Sequence, residues 1–367
     1  NTPLIFNSLT ISGGGQVTIS SSFTASTMSI NSFVENGTGT YNDYGGTTNV
    51  SSATVNQYIA STQTGVNGRN WYISSPVGAA LSSTIINATG NSLVGYTEST
   101  GQWDNAGTSM DVMKGYIAVS PAQNTTVAFS GGTLNTGLQS ISNLSYNGAT
   151  KRGFNLIGNP YPSYLNWDDA TISNVLTTIW YRSKSTGSYL FQTYNSAGNQ
   201  GANGGTNLIP PMQAFWVRAT DAINSLSFDN TMRSHQDQSV VYNRLKISGV
   251  TKSLQQVLRL EVSNGVNKDE TVLYKDKNAS DNFDVYDSPK MTNANVAIPE
   301  IFTIADAESL SINGINKFYA NQEFLLGFTT GQANTFNIKA SEINNFDVGT
   351  QIILRDKTVS APLGEWG

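Results

Sequence analysis

The 367-residue chain contains no cysteine and one histidine, and charged residues make up only 12% of it. The lack of cysteine excludes disulfides, thiolate metal ligands and a cysteine nucleophile, but it does not identify the compartment, because secreted proteins also do without disulfides. Zinc is disfavoured because it prefers His and Cys ligands. The low charge means that the hydroxyl and amide groups of abundant Ser, Thr and Asn must solvate the surface, which suits the outside of a cell.

Long apolar runs and clusters of basic residues are missing as well. No run approaches the length that crosses a bilayer, and the first residues, 1–4, lack the basic start of a signal peptide. We therefore expect no membrane insertion and interpret the chain as a mature or excised piece. The net charge of −5 is spread thinly. Without a row of Lys and Arg to neutralise phosphates, nucleic acid is a poor partner.

A β pattern is what the chain does contain. Val, Ile, Thr, Tyr, Phe and Trp recur in short runs broken by Gly and Asn, and no window of ten or more residues shows a persuasive period of 3.6. The pattern predicts an all-β fold. The length indicates two or three domains, each large enough to bury a core.

Residues 1–62 hold short alternating strands separated by Ser, Gly and Thr. The strands are 4–6, 9–11, 16–19 and 28–30. Alternation places one face of each strand inward. Two interpretations fit: the segment is the end of a β-solenoid, or it supplies edge strands to the sandwich of the next domain.

Residues 63–235 contain a weak internal duplication, with units of about 63–135 and 136–235. The matching segments, in the same order in both halves, are 70–76 with 155–160, 94–103 with 179–189, 113–119 with 212–217, and 127–131 with 226–230. The second pair has the pattern of a hairpin in each half. We expect two similar sandwich-like β units packed as one pseudo-symmetric body.

Residues 236–241 have the polar composition of a linker. Residues 242–367 are predicted to form a β-sandwich of jelly-roll or immunoglobulin-like kind, truncated at its end. Its six alternating strands are 242–247, 256–262, 270–274, 324–328, 335–338 and 351–354.

The stretch around which these regions are arranged is GFNLIGNPYPSYLNWD, at 153–168. It resembles the GxNLIGNPYPS…DW signature of large cell-surface and secreted proteins of Bacteroidetes that the type IX secretion system exports. The likeness covers roughly residues 66 to 355. Its further segments are GRNWYISSP (68–76), IPPMQAFWV (209–217), DVYDSPKM (284–291) and LSING (310–314).

The resemblance implies an extracellular or outer-surface location. Family members include gliding adhesins and polysaccharide-handling proteins, so the resemblance implies attachment to a glycan or another surface ligand. It also implies contact with the type IX secretion machinery through a C-terminal sorting domain, which we do not find in this chain. The first hypothesis is therefore a non-catalytic adhesin or stalk module. The alternative is an accessory C-terminal region of a larger secreted hydrolase that degrades polysaccharide or peptide.

Few residues could support catalysis. His235 has the surroundings of a solvated linker histidine, and no Gly-x-Ser-x-Gly elbow accompanies it. Glycoside hydrolysis needs two carboxylates across a cleft. The candidates near the aromatic hairpins are Glu98, Asp104, Asp168 and Asp169. The last two follow a proline-rich turn and are interpreted as turn caps. We predict no catalytic residue and no enzymatic activity.

Two sets of residues remain as candidate sites. A calcium site would use the hard oxygen ligands of one loop, Asp281, Asn282, Asp284 and Asp287. The spacing is not that of an EF-hand, and the alternative is a solvated acidic loop pinned by its aromatic residues. No other cofactor is expected. A sugar-stacking platform would use Trp103, Trp180, Tyr189 and Tyr194, of which all but Trp180 are predicted to face outward, although aromatics that alternate along strands are more often core.

Overall fold

The computed structural model of the chain describes residues 4–32, 38–44, 47–59, 70–89, 92–119, 125–147, 153–184, 189–236, 255–356 and 362–366. Strands dominate these residues, and the one α-helix among them is α1 (Ser82–Thr89). The predicted all-β class is confirmed. Within the described residues, no helix combines the length and apolar character needed to cross a membrane.

The strands are numbered in chain order. The first ten are β1 (Leu4–Ile11), β2 (Gln16–Ile19), β3 (Phe23–Ser32), β4 (Thr40–Asp43), β5 (Thr48–Ile59), β6 (Trp71–Ile73), β7 (Leu93–Thr97), β8 (Gln102–Asn105), β9 (Tyr116–Ala118) and β10 (Thr125–Gly132). The next eleven are β11 (Gln139–Ser142), β12 (Phe154–Gly158), β13 (Tyr164–Asn166), β14 (Thr171–Ser173), β15 (Thr178–Lys184), β16 (Tyr189–Asn195), β17 (Gln200–Ala202), β18 (Leu208–Ile209), β19 (Ala214–Arg218), β20 (Ser225–Phe228) and β21 (Arg233–Ser234). The last nine are β22 (Val257–Ser263), β23 (Lys268–Lys275), β24 (Ser288–Pro289), β25 (Glu300–Ala305), β26 (Glu308–Ile315), β27 (Leu325–Thr329), β28 (Asn337–Asn344), β29 (Ile352–Arg355) and β30 (Pro362–Trp366).

The chain divides into two compact units. The first contains Asn1–Tyr181 and Asn207–Arg244, and the second contains Arg182–Thr206 and Leu245–Gly367. The second half of the predicted duplication therefore contributes a segment to the second unit, which its sequence did not reveal. Of the predicted linker 236–241, all but the first residue lies outside the described residues.

The N-terminal strands stack as rungs. Strand β3 pairs in parallel with β1 on one side and β5 on the other, and β2 pairs in parallel with β4. This is the pairing of successive solenoid rungs, so it favours the solenoid interpretation. Strand β10 then adds to β5 in antiparallel orientation and closes that end of the stack.

Inward side chains of the rungs form columns because parallel pairing keeps the register. The columns are Phe6–Ala25–Val50, Leu9–Met28–Ala53 and Ile11–Ile30–Val55. The same buried cluster continues into Ile73, Tyr116 and Met212 of the following region. The predicted boundary at residue 62 therefore does not separate two cores.

The sheets of the first unit repeat one strand order. One sheet has the order β6-β9-β7-β8, and β12, β19 and β15 pair in the corresponding order, with β16 following β15 in the chain as β8 follows β7. These are the segments that the sequence matched in pairs, so the topology supports the duplication. Smaller sheets, β11-β20-β14 and β18-β13-β21, complete the second half.

The second unit contains the antiparallel pair β16–β17 and a sheet of order β27-β25-β26-β23-β22-β28, with β24 on β26. Its pairing is antiparallel except between β23 and β26. Side chains of β22 alternate, so that Val257 joins one buried cluster while Leu258 and Leu260 join another. Five of the six predicted strands match β22, β23, β27, β28 and β29, and the sixth, 242–247, lies outside the described residues. The sequence did not predict β24, β25, β26 or β30 as strands.

Candidate binding surface

Trp103 is the most distinctive exposed aromatic residue of the first unit. It lies on β8, an edge strand whose residues are all exposed, and 42% of its surface is exposed. Its cross-strand partner on β7 is Tyr96. The two ring centroids are 5.3 Å apart, with 59° between the ring planes.

Trp216 on β19 completes this group of aromatic rings. Its indole lies 5.9 Å from that of Trp103 and 4.9 Å from the ring of Tyr96, in edge-to-face geometry in both cases. Trp216 is buried and Tyr96 is half-buried, so the outermost ring rests on two that are fixed. We call Tyr96, Trp103 and Trp216 the aromatic patch.

The hairpin that presents the patch is set by its turn. Gly101 has φ of 68°, a conformation that glycine adopts without steric cost, and its N–H donates to the carbonyl of Thr97 at 2.8 Å. The hydroxyl of Thr97 donates to Oδ2 of Asp104 at 2.6 Å across the hairpin. The turn therefore fixes the register that places Tyr96 opposite Trp103.

The other predicted stacking residues lie elsewhere. Trp180 is fully buried and packs edge-to-face on Phe154 at 5.2 Å, so it belongs to the core. Tyr194, in the second unit, is 4% exposed, and its hydroxyl donates to Oδ1 of Asn199 at 3.0 Å. The prediction that Tyr194 faces outward is therefore wrong. Tyr189, also in the second unit, is half-buried and accepts a hydrogen bond on its carbonyl from Arg182.

Sequence reasoning missed Tyr96 as the partner of Trp103. A usable signal was present, because the Ser-Thr-Gly turn and the period of two place residues 96 and 103 opposite one another. The contact with Trp216 carries no such signal, since β19 belongs to another sheet more than 100 residues along the chain.

The acidic loop uses its carboxylates to bind its own backbone. Asp284 accepts hydrogen bonds from the N–H groups of Ser280 and Tyr286, each at 2.8 Å. Asp287 accepts from the N–H groups of Asp284 and Gly314, also at 2.8 Å. Tyr286 packs on a buried cluster of the second unit, as the alternative interpretation of this loop requires.

Of the four proposed calcium ligands, Asp281 and Asn282 are exposed, Asp284 is half-buried and Asp287 is buried. Burial raises the pKa of Asp287 to about 7, with the charges of Asp284 and Asp306 acting in the same direction. Among the residues that the structure describes, no group of three or more His, Cys, Asp or Glu side chains is arranged to hold a metal ion.

The candidate carboxylates are held in structural hydrogen bonds. Glu98 is 2% exposed and accepts bonds from the Ser145 hydroxyl at 2.7 Å and from the N–H groups of Asn147 and Gly153 at 2.9 and 3.1 Å. Asp168 and Asp169 lie in a single 3-10 turn, where the side chain of Asn166 accepts from the N–H of Asp168 and donates to Asp169. The asparagine, rather than either aspartate, is thus the cap of this turn.

His235 is not a solvated linker residue. Its Nδ1 lies 2.7 Å from the Thr40 hydroxyl and its Nε2 lies 2.9 Å from that of Thr18, so the ring packs against β2 and β4. Burial and the nearby positive charge of Arg233 lower its pKa. The interpretation of His235 as a solvated linker residue failed because the sequence does not show that β21, which pairs with β13, lies beside the N-terminal rungs.

Arg233 itself is a buried cation that the sequence did not single out. Its guanidinium donates to the Ser163 hydroxyl and to Oδ1 of Asn230, each at 2.9 Å, and to the carbonyl of Tyr41. Burial lowers its pKa to about 10, which leaves it charged at neutral pH. This arrangement ties β21 to β4.

An open cleft of about 540 Å³ lies in the second unit. Amides and lysines line most of it, including Asn199, Gln255, Lys275 and Lys277. Among the described lining residues the one carboxylate, on Asp276, accepts a hydrogen bond from Gln255. Among its described lining residues, no acid and base, or nucleophile and base, stand together as hydrolysis requires.

Comparison with known proteins identifies a family for this chain but does not indicate an activity. A family model described as a domain of unknown function, DUF8693, matches residues 3–362. No curated protein and no solved structure matches the chain. Since the family model spans almost the whole sequence, this chain belongs to the DUF8693 family.

Proposed function

We propose that this chain is a non-catalytic binding module of an exported surface protein, with the role of an adhesin or stalk. The observation on which the proposal rests is Trp103, a large apolar side chain held in the open on an edge strand. An exposed indole forgoes the stabilising free energy that its burial would contribute. A fixed, exposed indole therefore favours a role in binding a ligand or another surface.

The ionisable groups support a non-catalytic role. Glu98, Arg233 and Asp287 are buried and engaged with backbone or hydroxyl partners. A catalytic acid, base or nucleophile needs reach to a substrate as well as a suitable pKa. These three groups use their hydrogen-bonding capacity to hold the fold.

An exported surface protein is supported by the outer faces of the rungs. Apart from the exposed Ile5, the outward positions that pair across β1, β3 and β5 carry Ser, Thr and Asn, as in Ser8–Thr27–Ser52 and Thr10–Ser29–Thr54. Together with the resemblance to type IX secretion cargo, this uncharged hydroxyl surface favours an extracellular location and export by that machinery.

The test has two parts. Antibodies against the chain, applied to intact cells of the native host, should label the outer surface, and purified protein should adhere to cells or extracellular matrix without changing them chemically. Turnover of any polysaccharide or peptide in a hydrolysis panel would contradict the non-catalytic role. Failure to label intact cells, with labelling after lysis, would contradict the location.

A further inference from the structure

We propose that Trp103 is the stacking platform of a glycan site on the β7–β8 hairpin, and that the ligand is a pyranose ring of an uncharged polysaccharide. The proposal rests on the binding-module function above and names its ligand class. The CH face of a pyranose is flat and apolar while its rim carries hydroxyls, so recognition needs an exposed aromatic face with amide or hydroxyl groups beside it.

The platform is preorganised. Neither neighbour stacks parallel on Trp103, since the planes of Tyr96 and Trp216 make angles of 59° and 82° with it. These contacts hold the indole while 42% of the residue stays exposed. A ring that is already fixed loses little conformational entropy when a ligand binds, which favours affinity from a small contact area.

Hydrogen-bonding groups lie on the same face. Side chains alternate along a strand, so Asn105 projects from the face that carries Trp103, about 7 Å further along β8. Asn105 is exposed, and its amide both donates and accepts. It can therefore bind a pair of adjacent hydroxyls at the rim of a stacked sugar.

The described charged groups of the hairpin point away from Trp103 or are already bonded. The hairpin carries two carboxylates, and Glu98 is buried with three donors while Asp104 is bound by Thr97. Asp104 also lies on the opposite face, because it is adjacent to Trp103 in the strand. Lys114 lies on that opposite face too, within 3.3 Å of where a Cβ on Gly95 would stand. Among the residues that the structure describes, no Lys or Arg stacks on the Trp103 ring, which favours a neutral sugar over an anionic one.

A peptide strand added to the edge of β8 is the rival ligand. Strand β8 stands at the end of its sheet, so one edge of it has no strand partner among the described residues. However, it is four residues long and carries Asp104, and shortness and charge are the features that protect edge strands from pairing. The geometry therefore favours stacking over strand addition.

The experiment measures binding of the full chain to neutral glucans, mannans and galactans and to a polyuronate, by affinity electrophoresis and calorimetry. We expect binding to at least one neutral polymer and not to the polyuronate. Trp103→Ala should weaken binding by roughly tenfold or more, because it removes the whole stacking surface. Trp103→Phe should retain part of the affinity. Tyr44→Ala removes another exposed aromatic of the same unit and serves as the matched control, with no expected effect.

Hydrogen exchange separates the two ligand classes. A stacked glycan leaves the backbone amides at the outer edge of β8 unprotected, whereas an added peptide strand protects them. The proposal is overturned if every neutral polymer fails to bind the folded wild-type chain, or if Trp103→Ala and Tyr44→Ala bind alike. If Trp103→Ala abolishes adhesion to cells while no glycan binds, the glycan proposal fails and the binding-module function stands; if the wild-type chain neither adheres nor binds, both fail.

Discussion

Met113 and Met212 occupy equivalent positions in the two halves of the duplicated region, and both have left-handed backbone conformation, with φ of 61° and 55°. The carbonyl of Met113 accepts a hydrogen bond from the N–H of Gly158 at 2.8 Å, and that of Met212 accepts from the N–H of Ser74 at 2.9 Å. Each half thus supplies an acceptor to the other, at the end of β12 in one case and just after β6 in the other. The two halves are joined by a reciprocal, pseudo-two-fold pair of contacts.

Two isolated β-bridges repeat this reciprocity. Ile73 of β6 pairs with Gln213 just before β19, and Lys114 just before β9 pairs with Ile157 of β12. A left-handed residue is thus present at the corresponding contact in each half. Its stability consequences can be tested at both copies.

We expect Met212→Ile to destabilise the protein by about 1–2 kcal/mol more than Met212→Leu, since a branched Cβ is strained at positive φ while the buried volume is similar in both variants. The same difference is expected between Met113→Ile and Met113→Leu. Urea unfolding measures the free energies. Equal values for the Ile and Leu variants at either site would show that backbone strain is not what distinguishes these positions.

Gly158→Ala should be strongly destabilising because its Cβ would stand 2.1 Å from Cβ of Ser74. Overpacking of this kind costs about 1–3 kcal/mol or more. Adding Ser74→Gly removes the clashing atom, so the double variant should be more stable than the sum of the two single effects predicts. Gly107→Ala is the control, because nothing lies within 4 Å of its added Cβ. Additive effects would contradict the close approach of β12 to Ser74.

Stability should fall as pH rises from about 4 to about 7. Burial raises the pKa of Asp287 to about 7 in the folded chain, whereas an unfolded aspartate titrates near about 3.9. The folded state therefore binds the extra proton in this window, and ionising the buried carboxyl opposes folding by on the order of 4 kcal/mol. Urea unfolding at several pH values should show a shallower slope for Asp287→Asn. Parallel curves for wild type and variant would exclude Asp287 as the source.

Glu98→Gln should destabilise the first unit by about 1–3 kcal/mol. The amide keeps one acceptor oxygen for three buried donors and places an NH2 group among them, which leaves a buried donor unpaired. Asp111→Asn is the comparison, because its ion pair with Lys114 is exposed and contributes little. Thermal unfolding measures both. A neutral effect at Glu98 would mean that solvent reaches the site.

Chelation provides a direct test of calcium at the acidic loop. We expect EDTA to leave the unfolding midpoint unchanged, because Asp284 and Asp287 already accept backbone hydrogen bonds that shape the loop. A bound structural ion would instead stabilise the folded state by mass action. A midpoint that falls with EDTA and recovers with calcium, but not with magnesium, would establish the site at Asp281, Asn282, Asp284 and Asp287.

Local patterns in the sequence were sufficient for several features. Alternation over 16–19 and 28–30 marked strands of the solenoid rungs, and the paired segments 94–103 and 179–189 marked the repeated hairpins. These signals are readable because strand alternation and turn residues act over a few positions. Contacts between distant segments, such as those of His235 with Thr18 and Thr40, produce no local pattern in the sequence. The boundary of the two units within β15 has no local pattern either.

The sequence by itself was sufficient to predict an all-β chain with an internal repeat. Period-two alternation and repeated turn residues are local signals that can be read without knowing the tertiary contacts. The tertiary structure decided which aromatic residues are available for contact. Trp103 and Tyr194 lie in similar aromatic strands, yet one is exposed and the other is buried. Alternation assigns side chains to two faces, but only the packing of other segments decides which face is covered.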